Sequence, residues 1–273
     1  MKIKKIIGIA AIVVLCGIAV FSGVVFHHQY QDQKNSAQQF EDLSNMIADV
    51  DKSELDKEPV PEPGEDEPVS ETISEEELAA REAELAMEKY RALFDQNSDF
   101  VGWISIDGTN INYPITQSED NSYYLNHAAN GDYNPEGSIF ADYRNDTLLT
   151  KNYTTVFYGH NISNGEMFHD VTKFFKDEYF NNVYIYVSTM DGIFVYEPFA
   201  VYETAYDSDY FKIRFSSAAD FIAFAEDCQK LSAKSKDIAF TDKDRVLTLS
   251  TCTNGYFTQR YALHARLVRT IKD

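Results

Sequence analysis

The stretch "TLSTCTNGYFTQRYALHARL", residues 248–267, decides how the rest of the chain reads. Val246 and Leu247 lead into Thr248 and Leu249, an apolar, β-branched run that predicts a buried strand. Cys252 ends that run, Thr253, Asn254 and Gly255 supply turn residues, and Arg260 opens a second run through "YALHARLVR". The layout predicts an antiparallel pair with Arg260 returning beside Cys252. A thiol becomes a nucleophile as its thiolate, and a nearby guanidinium favours that form and can stabilise an oxyanion.

Working outward, the chain from Phe100 onward is a series of short runs rich in Val, Ile, Tyr, Phe and Thr. Examples are "FVGWISI", "INYPIT", "YTTVFYGH", "VYIYVST" and "IFVYEPFAVYETAY". Met190-Asp191-Gly192 between two of these predicts a hairpin turn. One helix is predicted at 217–231, "SAADFIAFAEDCQKL", with Phe221, Phe224, Ala225, Cys228 and Leu231 on its buried face. A shorter one is expected over 165–179. Many short strands with few helices predict a mainly β domain, a closed or nearly closed barrel.

The N-terminus sets the compartment. Lys2, Lys4 and Lys5 precede an uncharged run of 21 residues, Ile6–Phe26. About 20 apolar residues span a bilayer, and the lysines before the run predict an inside N-terminus. Residues 1–5 are therefore expected in the cytoplasm, 6–26 as a single transmembrane signal anchor, and the remainder on the extracellular face of the cell membrane. A cleaved signal peptide is the alternative.

Residues 27–73 are polar and include "EPVPEPGEDEPVSE", predicting an extended acidic linker. Net charge is −20, and residues 41–80 carry fifteen Asp/Glu against Lys52 and Lys57, −13 of that total. The acidity belongs mainly to this segment, and with no basic patch it excludes a nucleic-acid partner. Ser74 and Glu77 form a capping box, and Ala79, Ala83, Ala86, Tyr90 and Leu93 continue one apolar stripe. Segment 74–96 is thus expected as a helix packed on the domain at 97–273.

The three cysteines are Cys16 in the apolar run, Cys228 on the predicted helix and Cys252. A Cys228–Cys252 bridge is open to an exported chain; otherwise Cys252 is left unpaired, which suggests a use. Its natural partner is histidine. His160 closes "TTVFYGH" at a strand end and enters a polar loop, a placement shared with Cys252. His127 falls in a turn segment, His169 on the helix after 165, and His264 on the strand face opposite Tyr261, Leu263 and Ala265. His160 and His169 lack the spacing of a zinc helix, and no C-x-x-C or phosphate-binding glycine loop exists, so neither metal nor cofactor is expected.

Taken together, "TLSTC", the following arginine and the upstream "YGH" resemble the active-site signature of sortases, membrane-anchored cysteine transpeptidases of Gram-positive bacteria. "VGWISI" (101–106), "DNSYYLNH" (120–127), "GSIFADYRN" (137–145) and "YALHARL" (261–267) resemble class B specifically. The resemblance covers about residues 90–273. It implies a closed eight-stranded barrel with an N-terminal helix and an inserted helix near 217–231. It also implies Cys252 as nucleophile, His160 as general acid/base and Arg260 as the group holding substrate and oxyanion, with Ser250 lining the groove. The implied substrates are exported proteins bearing a C-terminal sorting signal, and the implied acceptor is an amine of a peptidoglycan precursor or a protein lysine. An exported cysteine peptidase or amidase using water, and a stalked adhesin, are the other readings.

Overall fold

The structure, a computed structural model, describes residues 18–27, 30, 31, 34, 35, 38 and 91, and 93–271 apart from 148, 254 and 255. The chain divides into two units, Met1–Asn45 and Met46–Asp273. In the first, residues 18–27 are helical and exposed. Among the described residues no helix is long and apolar enough to cross a membrane. The expected span at 6–26 lies largely outside the described residues, as do most of the linker and of the helix at 74–96. The last turn of that helix is met at 93–96, where Leu93 is buried and Phe94 exposed.

The second unit is built from β1 (Phe100–Ile106), β2 (Asn112–Thr116), β3 (Ile139–Ala141), β4 (Thr154–Tyr158) and β5 (Ile185–Thr189). It continues with β6 (Gly192–Ala205), β7 (Lys234–Ser235), β8 (Val246–Thr253) and β9 (Tyr256–Ile271). The hydrogen-bonded order is β5-β1-β2-β3-β4-β8-β9-β6-β7, and β5 also pairs with β6. That last pairing closes eight strands into a ring, with the two-residue β7 attached outside it. Closure pairs both edges of the eight-stranded sheet with each other, which removes the long edges that would template aggregation.

Alternation explains the strands. In β1 the residues Phe100, Gly102, Ile104 and Ile106 are buried and those between are half-buried; β5 alternates likewise. β8 departs from this: seven of its eight residues, all but Cys252, are buried. It lies between β4 and β9 and is covered on both faces, which is why its sequence, VLTLSTCT, carries no charged residue on either face. The β5–β6 hairpin forms as predicted, with Thr189 paired to Gly192 and Gly192 at φ 118°.

One helix expectation is corrected, and one residue of another. The segment 165–179 is not one helix. Gly165 (φ 96°) and Met167 (φ 55°) hold the chain in a turn, a 3-10 segment spans His169–Phe175, and α1 (Asp177–Asn182) follows extended Lys176. The helix at 217–231 forms as α2 (Ala218–Leu231), capped by Ser217, whose side chain accepts from the Asp220 amide at 3.2 Å. Its buried stripe stops at Cys228; Leu231 is 65% exposed because the helix ends there, past the face it covers.

α2 packs Phe221, Ala225 and Cys228 on Phe199, Tyr202, Tyr210, Val246 and Ala262, outside the barrel wall. Full burial of a side chain such as Phe221 contributes about 1.5–3 kcal/mol. A polar chain runs through this layer. Thr248 Oγ1 meets His264 Nδ1 at 2.9 Å, His264 Nε2 meets the Tyr202 hydroxyl at 2.9 Å, and that hydroxyl donates to Cys228 Sγ at 3.5 Å. Since Tyr202 spends its proton on sulfur, His264 Nε2–H donates to Tyr202 and Nδ1 accepts from Thr248. The ring is therefore neutral, and burial pushes His264 down from 6.5 to about 3.

An acid sensitivity follows from this histidine. The unfolded chain takes its proton below about pH 6.5, whereas the folded chain resists until about 3. Stability is complete above that window and falls as pH drops through it. His264→Gln keeps an acceptor for Thr248 and a donor for Tyr202 but does not titrate. Its Tm should fall less than that of the unsubstituted protein between pH 6.5 and 4.5; equal slopes would contradict the assignment.

Candidate active site

β4 and β8 run parallel in strict register, from Thr154↔Val246 to Tyr158↔Ser250. The Gly159 amide carries the ladder one bond further, donating to the Ser250 carbonyl at 3.2 Å. His160 and Cys252 then leave neighbouring strands at the same rim. β8 and β9 form an antiparallel pair in which Cys252 stands opposite Arg260, as the turn residues between them predict. All three side chains line one cavity of about 270 Å³, together with Ser250, Tyr158, Asn121, Leu125, Tyr206 and Tyr210.

Each side chain is held differently. Cys252 is half-buried and its thiol is free. Cys228 is also a free thiol, so the bridge left open by the sequence is not formed; burial pushes Cys228 up to about 12, against the lowering effect of the Tyr202 hydroxyl. Cys228 is thus an inert core residue. His160 Nε2 lies 2.8 Å from the Leu125 carbonyl, and a carbonyl can only accept, so that nitrogen carries a proton. Nδ1 is the ring nitrogen left for proton transfer. Arg260 Nη1 donates to the Gln259 carbonyl at 2.9 Å, and its guanidinium lies 5.9 Å from the Tyr206 ring centroid. Ser250 lines the cavity, but it is buried and its Oγ is bonded to the Tyr210 hydroxyl at 2.8 Å.

The loop carrying His160 is braced tightly. A Cβ at position 159 would stand 2.4 Å from Ile139 Cδ1 and 2.9 Å from the Phe168 ring, so only glycine fits beneath the histidine. The His160 carbonyl accepts from the Phe168 amide at 2.9 Å. Met167 sits in the left-handed region, a conformation costing a side-chain-bearing residue about 1 kcal/mol or more. Its amide is satisfied by the Tyr113 hydroxyl at 3.0 Å and its side chain is fully buried.

One wall of the cavity depends on a carboxylate that does not touch it. Asp142 is fully buried and accepts from Asn121 Nδ2 (2.9 Å), the Tyr158 hydroxyl (2.8 Å), and Arg144 Nε (2.8 Å) and Nη2 (2.7 Å). Burial acts to raise this carboxyl, but the Arg144 donors, Tyr158 and Asn121 outweigh it and hold it below its usual value. Burial and the neighbouring Asp142 raise Tyr158, which stays a neutral phenol. Asn121 and Tyr158 are thereby fixed on the cavity wall.

Of the remaining histidines, His264 is a core residue, His127 stacks on Tyr123 with centroids 4.0 Å apart, and His169 is half-buried on the 3-10 segment with its ring bonded to Asn161. Asn121, Leu125, Asp142 and Tyr158 lie in stretches quoted above, yet periodicity assigns them no role. A backbone carbonyl such as that of Leu125 leaves no trace in side-chain identity.

Comparison with known proteins agrees with this geometry. The sortase domain profile matches residues 104–268. Sortase B of Listeria monocytogenes is 38% identical over 186 residues, covering 66% of this chain and 74% of that protein. The crystal structure of sortase B from B. anthracis in complex with AAEK1 aligns at a TM-score of 0.67 with 31% identity, over 88% of this chain and 99% of that one. A Staphylococcus aureus sortase B–substrate complex aligns at 0.69 with 25% identity and the same coverage. With one contiguous domain matched across the barrel, the rim and the strand ends that carry His160, Cys252 and Arg260, this chain belongs to the sortase family as a class B member, and so to the cysteine transpeptidases.

Proposed function

We propose that Cys252 is the nucleophile of this transpeptidase, His160 its general acid/base and Arg260 its oxyanion-holding group. The observation that carries this reading is the cross-strand pair Cys252↔Arg260, with His160 lining the same cavity from the parallel neighbour strand. The Cys252 thiol gives its proton to His160 Nδ1, and its sulfur attacks the carbonyl carbon of the threonine preceding the scissile bond. Arg260 stabilises the resulting oxyanion. His160 Nδ1 gives its proton to the departing amine as the C–N bond breaks, leaving a thioester on Cys252. An acceptor amine then attacks that thioester, His160 takes the amine's proton, and the thiolate leaves.

The substrates in this reading are exported proteins with a C-terminal sorting signal, which the similarity to a sortase B–substrate complex supports. The acceptor is an amine of a peptidoglycan precursor or a lysine of another surface protein. Residues 6–26 anchor the chain in the membrane in a single pass with residues 1–5 inside, 27–73 act as a spacer, and the domain works on the extracellular face. The apolar run and the lysines preceding it support this topology.

Cys252→Ala should abolish thioester formation and reduce sorting-peptide cleavage by at least about 10⁴-fold. Arg260→Ala should lower kcat by about 10²–10³-fold, the loss typical of an oxyanion donor. Turnover retained by Cys252→Ala would contradict the assignment, and products unchanged by an added amine would mark a hydrolase instead.

Asp142→Asn removes the charge that ties Asn121 and Tyr158 to the wall. It should raise KM for the peptide several-fold and lower Tm, because breaking a buried ion pair costs about 3 kcal/mol. An unchanged KM would show that this wall does not contact substrate.

A further inference from the structure

The residue after His160 ties the nucleophile's own backbone to a second histidine. Asn161 Nδ2 donates to the Cys252 carbonyl at 2.8 Å, and Asn161 Oδ1 lies 2.8 Å from His169 Nδ1. A carbonyl oxygen only accepts, so the amide nitrogen must face Cys252. Oδ1 must then accept, and His169 holds a proton on Nδ1.

The position of this contact in the sheet gives it meaning. In a parallel ladder the amides of one strand reach alternate carbonyls of the next. The Gly159 amide takes the Ser250 carbonyl, and the following acceptor in that series is the Cys252 carbonyl. His160 turns out of the sheet at this step, and the Asn161 backbone bridges back to Met167 instead. On the other side of β8, the register with β9 shifts between Cys252 and Thr253. The nucleophile therefore sits where regular pairing fails on both flanks, and a side-chain amide stands in for the missing backbone donor.

We infer that Asn161 is a positioning residue: its amide, locked by His169, replaces a ladder hydrogen bond and fixes the peptide plane that aims Cys252 while His160 leaves the sheet. The inference rests on Cys252 being the nucleophile. It adds a device by which one loop sets two of the reacting groups, since His160 and Asn161 are consecutive. Displacement of a reacting group by about 1 Å can cost about 10²-fold in rate.

The test is steady-state cleavage of a sorting-signal peptide by the membrane-anchored enzyme and three variants. Asn161→Ala should lower kcat by about 10- to 100-fold with KM within twofold. Asn161→Asp keeps the shape but places an acceptor against the carbonyl, and it should lose at least as much. His169→Phe keeps the ring and removes its donor, so its loss should be smaller. The double variant Asn161→Ala/His169→Phe should be no slower than Asn161→Ala alone, because the histidine acts only through the amide. Should Asn161→Ala fail to fold, the kcat-specific loss in His169→Phe carries the test. An Asn161→Ala enzyme with kcat within twofold of the unsubstituted one, or losses that multiply in the double variant, would overturn the inference. Failure of the underlying reading is separate: it would be seen as turnover by Cys252→Ala.

Discussion

The parallel pairing of β4 with β8 is the constraint on which the rest of the structure depends. In a parallel pair both chains run off the sheet at the same rim, so residues beyond the two strand ends are neighbours although far apart in sequence. His160 and Cys252 meet there for that reason. β9 returns antiparallel from the same rim, so Arg260 comes opposite Cys252 through local chain reversal alone. One non-local pairing and one hairpin-type pairing thus assemble a three-residue constellation on a closed barrel, where no strand can slip without breaking the ring.

Local exceptions to regular structure concentrate at this rim. Gly159 is wedged against Ile139 and Phe168, Met167 occupies left-handed backbone, and the β8–β9 register shifts beside Cys252. Each is offset by a specific contact: Tyr113 on the Met167 amide, Phe168 on the His160 carbonyl, Asn161 on the Cys252 carbonyl. The same face of β8, one turn of the pleat below the rim, shows a complementary arrangement. There Thr248 is tied through His264 and Tyr202 to Cys228 beneath α2, which holds the strand without exposing a reactive group. Cys228 and Cys252 show how burial divides one residue type into an inert filler and an accessible thiol.

Much of the fold was legible because its signals are local. Gly192 marks the β5–β6 turn, Ser217 the cap of α2, and the apolar run Val246–Leu249 a strand buried on both faces. The return of Arg260 to Cys252 followed from turn residues and strand length. What the sequence hid is non-local or lies in the backbone. The helix expected at 165–179 failed because Met167 adopts a conformation that no propensity predicts for methionine, stabilised by the distant Tyr113. Leu231 fits the helical period but lies past the surface α2 covers. Asp142, Leu125 and Asn161 act through pairings between segments 16 to 91 residues apart, which periodicity does not encode.

The most direct measurement is peptide mapping, by mass spectrometry, of the enzyme trapped with a sorting-signal peptide. The account predicts a thioester adduct whose mass equals the peptide truncated after its threonine, located on the fragment containing Cys252 and released by an added amine. An adduct mapped to Cys228 or to any other residue, or an adduct retaining the whole peptide, would contradict it.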